Sequence, residues 1–188
     1  MFNPEKCLAF IRSRADLIDA VVITGGEPLL QDSLPGFLSS IKELGLLVKV
    51  DTNGTLPHRL HHLIDEALVD YVALDIKAPV GNPGAYCVAA GGSVDTGPIR
   101  ESVQLLAQLA TNGEYRTTVL PGFHDYDLLV AIVRELPFVH PFYLQLFIPE
   151  LARTGQWTRQ PRWSRERLEN IAARLSIEFP NHEIHARA

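Results

Sequence analysis

Five short stretches of this chain leave an apolar run through residues that can bind a charged ligand. Thr24, Gly25, Gly26, Glu27 and Pro28 follow DAVVI; Asp51, Thr52, Asn53 and Gly54 follow LLVKV. Asp75 and Lys77 flank Ile76, with Ala78 and Pro79 behind them. Arg116 lies in EYRTTVL, which leaves at Pro121, Gly122 and His124; Gln145 lies in PFYLQLFI. The carboxylates Glu27, Asp51 and Asp75 suit a cationic group such as an ammonium, and Lys77 and Arg116 suit a carboxylate. The glycines allow close backbone approach and leave N–H and C=O groups for a ligand. A phosphate loop would carry a lysine after its glycines; here Glu27 stands instead. An amino-acid-like ligand bearing both charges fits this set better than a triphosphate.

The elements that position these residues are strands alternating with helices. The β-rich runs are DAVVIT (19–24), LLVKVDT (46–52), DYVALDI (70–76), EYRTTVL (114–120) and PFYLQLFI (141–148), and HEIHAR offers a last short strand. Helical patterns lie between them: LPGFLSSIKELG stopping at Gly45, PHRLHHLIDEAL starting at Pro57, IRESVQLLAQLATNG ending at Asn112–Gly113, YDLLVAIVREL and SRERLENIAARL. Alternation of this kind predicts βα units on a parallel sheet, with ligands at the carboxyl ends of the strands. The stretch 78–95, rich in Gly and Ala, reads as one long loop, with Tyr86 and the Gly91–Gly92 pair as a lid over the ligand. Residues 1–188 read as one domain. NPEKCLAFIRSR reads as an opening helix capped by Asn3. A βα series that opens on a helix lacks its first strand, so DAVVIT is expected to be an apolar edge and a preceding strand is expected to be missing.

The bulk composition is that of a globular protein: 46% hydrophobic, 21% charged, formal net charge −5. No basic run supports an electrostatic nucleic-acid binder, and no stretch is apolar enough to span a bilayer. The N-terminus does not read as a signal peptide, so a cytoplasmic location is expected. Two cysteines, Cys7 and Cys87, allow at most one disulfide, and none is expected in the cytosol.

The ordered series TGGEP, DTNG, DIKAP and YRTTVLPG resembles the radical S-adenosylmethionine (SAM) superfamily, and within it the activating proteins of anaerobic ribonucleoside-triphosphate reductase, near the pyruvate formate-lyase activating enzymes. The resemblance implies a partial (β/α)6 barrel of parallel strands. It implies a [4Fe-4S] cluster that binds SAM, one-electron cleavage to a 5′-deoxyadenosyl radical, and hydrogen abstraction from a glycine of a partner. The partner would be an anaerobic ribonucleotide reductase or another glycyl radical enzyme, with a flavodoxin- or ferredoxin-type electron donor, and neither a membrane nor a nucleic acid. By resemblance Gly25, Gly26 and Glu27 hold the SAM amino group, assisted by Asp51, and Thr24, Pro28 and Asn53 are further SAM-binding positions. Asp75 and Lys77 contact the ribose and the methionyl carboxylate, and Arg116 anchors the methionyl end.

The chain departs from the family in one respect. The family's CxxxCxxC loop after the first strand is not in this sequence, and three thiolates are needed for a cluster with one open iron. The expectation is therefore an N-terminally incomplete barrel with no metal ligands of its own. A start assigned too far downstream, or a fragment, is preferred over a truncated gene or a cluster-less relative that binds SAM or an amino-acid-like ligand without radical chemistry. Other residues are less informative. His58, His61 and His62 read as solvated helix surface, His182 and His185 as terminal polar residues, and Cys87 as a small packed residue. His124 follows the fourth strand's exit and is a candidate to face the ligand. RTGQWTRQPRWSRER (153–167), basic and aromatic, reads as a packed connection to the last helix.

Overall fold

The computed structural model describes residues 4–108, 112–151, 157 and 161–187. Six strands form one sheet in sequence order, every neighbouring pair parallel. They are β1 (Ala20–Ile23), β2 (Leu47–Thr52), β3 (Tyr71–Asp75), β4 (Asn112–Val119), β5 (Phe142–Leu146) and β6 (Ile184–Arg187). Helix α1 (Pro4–Arg12) precedes β1, and helices α2 (Leu34–Lys42), α3 (Pro57–Asp65), α4 (Pro83–Ala90), α5 (Gly97–Gln108), α6 (Tyr126–Glu135) and α7 (Arg165–Glu178) lie in the crossovers. Sequential parallel order with helical crossovers is the topology of a partial α/β barrel.

Strand side chains alternate between two faces. One face carries Val48, Val50, Val72, Leu74, Tyr115, Val119, Phe142 and Leu144, all buried in the core. The helices cover it with one-sided apolar stripes: Leu34, Leu38 and Ile41 on α2, Ile99, Val103 and Leu106 on α5, Leu168, Ile171 and Leu175 on α7. The other face carries Lys49, Asp51, Tyr71, Asp75, Glu114, Arg116, Tyr143 and Gln145. Both faces thus pack, one on helices and the other around polar groups that pair with one another.

Two expectations need correction. The stretch 78–95 is not one loop. Asn82 caps α4 by accepting a hydrogen bond from Ala85 N–H, Pro83 occupies the first turn, and Gly91, at φ +74°, ends the helix. Helix α5 ends at Gln108 rather than at Asn112–Gly113, which are the first two residues of β4. Gly113 is needed there because a Cβ would meet Leu106 Cδ1 at 2.8 Å and the Val72 carbonyl at 3.0 Å. β1 pairs with β2 alone among the described strands, and Val22 is exposed on it. Asn3 and most of 153–160 lie outside the described residues.

Candidate functional site

The strand exits are held together by short polar contacts. Glu27 ends the β1 loop and caps a 3-10 turn, Pro28–Leu30. Its Oε1 accepts from Leu29 N–H at 3.2 Å and Thr52 Oγ1 at 2.8 Å, and its Oε2 accepts from Asn53 N–H at 2.8 Å. The carboxylate is a clasp between the first two strand exits. Gly25 and Gly26 just before it have φ of +93° and +62°, backbone that L side chains rarely adopt. Asn53 Oδ1 is held by Thr55 N–H (2.9 Å) and Thr55 Oγ1 (2.7 Å). Gly54, at φ +75°, packs against Leu74 and Ser102, and Ser102 Oγ donates to its carbonyl.

Arg116 organises the next two strands. Its Nε donates to Asp75 Oδ1 at 2.9 Å and its Nη2 lies 2.7 Å from the same oxygen. Its Nη1 lies 3.2 Å from Asp51 Oδ1 without hydrogen-bond alignment, so this buried carboxylate oxygen has no hydrogen-bond donor. Burial works against the charged guanidinium, but the Asp75 and Asp51 carboxylates outweigh it and raise its pKa. Lys77, by contrast, makes no ion pair among the described residues.

These groups line a cavity of about 410 Å³, within the usual range for a small-molecule site. Thr24, Gly25, Gly26, Asp51, Asn53, Asp75, Lys77 and Arg116 all border it. Two candidates do not: Glu27 is spent on its clasp, and Pro28 borders a separate cleft along β1. The opposite wall is Tyr86, Ala90, Val94 and Ile99, from α4, α5 and the connection between them. Tyr86 is a fixed wall rather than a lid. It is buried, accepts from Lys77 N–H at 3.3 Å, and its hydroxyl is 3.4 Å from the Asp75 carbonyl. Burial, with the nearby Asp75 charge, pushes its pKa up to about 12, against the hydrogen bond from Lys77. The cavity therefore has an apolar wall beside a charged one. That pairing suits a ligand with a flat apolar part and a zwitterionic part.

His124 is buried away from this cavity. Its Nδ1 accepts from Leu120 N–H at 2.8 Å, so its proton sits on Nε2, which donates to the Lys77 carbonyl at 3.0 Å. Burial holds its pKa down at about 4, against the two backbone contacts. It ties the fourth strand's exit to the third.

Reading the sequence missed a second polar cluster below Arg116. Glu114 is fully enclosed and accepts from Lys49 Nζ (2.9 Å), Tyr71 Oη (3.2 Å) and both Nη atoms of Arg187 (3.1 and 3.0 Å). Burial alone would raise the carboxyl pKa, but the Arg187 and Lys49 contacts outweigh it and hold it at about 2. Charges two residues apart in LVKVDT and EYRTT, hence on one strand face, are the signal that could have found Lys49 and Glu114.

The half-barrel gathers carboxylates, a lysine and a glycine pair at its strand exits, the end of such folds at which ligands bind. The chain belongs to the radical SAM superfamily, whose sequence model matches residues 2–132. A Methanocaldococcus jannaschii protein whose name proposes a glycyl-radical enzyme activating enzyme is 32% identical over 146 residues, covering 76% of this chain and 60% of that protein. A 7-carboxy-7-deazaguanine synthase of Hyperthermus butylicus is 46% identical over 68 residues, 35% of this chain and 28% of its own. Among solved structures, Streptococcus suis SuiB bound to S-adenosylmethionine superposes with a TM-score of 0.74 at 11% identity, over 100% of this chain and 42% of that one. An archaeal TYW1 does so at 0.66 and 17%, over 93% and 61%. These two likenesses establish the partial barrel. The chain spans 60% or less of the length of these curated relatives.

The family implies a cluster held by three thiolates. This chain has two cysteines in separate places. Cys7 on α1 borders the cleft along β1, and Cys87 on α4 accepts from Val94 N–H at 3.3 Å. Among the described residues no group of three or more His, Cys, Asp or Glu is placed to hold a metal. The residues present do not fit a cluster. They do fit SAM, because the Asp51 and Asp75 carboxylates and the Lys77 ammonium, which makes no ion pair among the described residues, border one cavity.

Proposed function

We propose that these residues form the SAM-binding barrel of a glycyl-radical-enzyme activating protein. In this reading the whole protein acts in the cytoplasm on an anaerobic ribonucleotide reductase and receives electrons from a flavodoxin- or ferredoxin-type donor. The observation that carries the reading is the cavity bordered by complementary charges: the Asp51 carboxylate, shared with Arg116, for the ligand ammonium, and Lys77 for its carboxylate. The backbone of Gly25 and Gly26 flanks the ammonium side. Asp75 and the Asn53 amide serve the ribose, and Ala90, Val94 and Ile99 cover the adenine. The SAM reaction type is that of the family. This chain's own residues bind, orient and exclude water; they supply no thiolate set.

The ordered series TGGEP, DTNG and DIKAP, together with the relative whose name proposes an activating enzyme, supports the activase class over other members. The cysteine count favours a second reading, a barrel that binds SAM or a similar amino-acid ligand without radical chemistry. Titration calorimetry with SAM tests what both share. Asp51→Asn and Lys77→Met are each expected to weaken binding roughly ten- to hundredfold, the loss of one charge-assisted hydrogen bond. Unchanged affinity in both variants would refute the cavity assignment. Co-purification with the reductase separates the readings: retention supports the activase, and no retention supports the binding module.

A further inference from the structure

The exit of the third strand is held largely by side chains. The β3–β4 ladder reaches Asp75–Arg116, and the Ile76 N–H adds one more bond, to the Arg116 carbonyl at 2.8 Å. Thr117 Oγ1 on β4 donates to the Ile76 carbonyl at 2.6 Å. The Tyr86 hydroxyl on α4 receives the Lys77 N–H at 3.3 Å. His124 Nε2, from the turn before α6, donates to the Lys77 carbonyl at 3.0 Å. All three side chains are buried. The His124 ring is itself fixed: Leu120 N–H donates to its Nδ1, and the Phe123 ring meets it edge to face at a centroid distance of 4.9 Å. Both main-chain polar groups of Lys77 are therefore taken up by rigid, buried partners. Its ammonium borders the cavity and makes no ion pair among the described residues.

We propose that His124 is a positioning residue for the carboxylate end of the ligand: through the Lys77 carbonyl it fixes the point and direction in which the Lys77 side chain leaves the backbone. This rests on the SAM reading above, in which Lys77 meets the methionyl carboxylate. With its N–H and C=O both held, the Lys77 Cα–Cβ bond is set before a ligand arrives. A lysine is a point charge on a flexible stem, so an anchored base reduces the ordering that carboxylate binding must impose. Binding groups held by a second layer of hydrogen bonds work in this way. His124 does not border the cavity, and the ribose and ammonium contacts fall to other residues. Its loss is therefore felt through Lys77, and only by a ligand that carries a carboxylate.

The test is calorimetric titration of the full chain with SAM and with decarboxylated SAM, which keeps the nucleoside, the sulfonium and the ammonium and lacks the carboxylate. The unaltered chain is expected to prefer SAM. In His124→Asn the amide oxygen can replace Nδ1 as acceptor for the Leu120 N–H, but the shorter side chain does not reach the Lys77 carbonyl. This variant is expected to weaken SAM binding roughly three- to tenfold, the scale of one lost hydrogen bond, and to leave decarboxylated SAM unchanged. His124→Gln places an amide nitrogen where Nε2 was and is expected to retain more of the SAM affinity. In a Lys77→Met background His124→Asn should have no further effect. If His124→Asn does not fold, hydrogen exchange in the unaltered chain decides. By linkage, a carboxylate that gains from the clamp must tighten it in return. The Leu120 amide, bonded to the same imidazole, should then exchange more slowly under saturating SAM than under saturating decarboxylated SAM, and equal exchange overturns the proposal. Equal losses of both ligands in His124→Asn would mean that His124 only supports the fold, and the proposal falls. If the unaltered chain prefers SAM and His124→Asn keeps that preference in full, the proposal falls while the SAM reading stands. If the unaltered chain binds neither ligand, the reading falls and takes the proposal with it.

Discussion

Asp51 and Lys77 are opposite charges that share one cavity and do not pair with each other. His124 shows a different use of a polar side chain. Its pKa is about 4 in the fold and near 6.5 when unfolded, so the unfolded chain binds the extra proton between those values. Stability is therefore expected to fall as pH drops from 6.5 towards 4, by up to about 3 kcal/mol. Thermal melts across that range should show the decline, and His124→Asn should flatten it; an identical pH profile in the variant would contradict the assignment. Glu114 has the opposite sign. Its folded pKa of about 2 lies below its ordinary 4.5, so its stabilisation is fully present above 4.5 and disappears as pH falls towards 2. Acid melts of Glu114→Gln should lack that component.

At the scale of elements, the strand exits are fixed by backbone geometry as much as by charge. Gly54 has φ +75°, and a Cβ there would lie 2.7 Å from Leu74 Cδ1. Gly54→Ala is expected to destabilise the fold by about 1–3 kcal/mol in denaturant melts. Gly36→Ala in α2, where a Cβ has open space, should be neutral or stabilise by up to about 1 kcal/mol. A similar loss in both would show that local packing at Gly54 is not the cause. The contrast also shows what the sequence made legible. Period-two and helical patterning located all six strands within about two residues, because each strand has one buried face and each helix one apolar stripe. Helix α4 was missed although its signals were present: Asn82 as cap, Pro83 at the first turn and Gly91 at the end. The Gly and Ala content hid them, since a helix that forms a cavity wall has no strong amphipathic stripe. At the site, the exits from Thr24 to Arg116 were legible because charge followed each apolar run. The Glu27 clasp was not, because a carboxylate facing a ligand and one facing three protein donors look alike in sequence. Arg187 reaches Glu114 across 73 residues, a distance no local pattern records.

At the scale of the whole molecule, the chain combines a family barrel and a charge-complementary cavity with two separated cysteines. Reconstitution of these 188 residues with iron and sulfide is expected to give no stoichiometric cluster that responds spectroscopically to SAM; a [4Fe-4S] signal that shifts on SAM addition would contradict this. No helix among the described residues is long and apolar enough to cross a membrane. The structure offers other clefts: one of about 430 Å³ along β1, and one of about 460 Å³ between α6 and α7. The measurement that decides among them is a backbone amide NMR titration of the chain with SAM. The account predicts saturable shifts at Gly26, Asn53, Lys77 and Val94, with Phe37 and Asn170 unmoved. Shifts centred on Phe37 or Asn170, or none at saturating SAM, would contradict it.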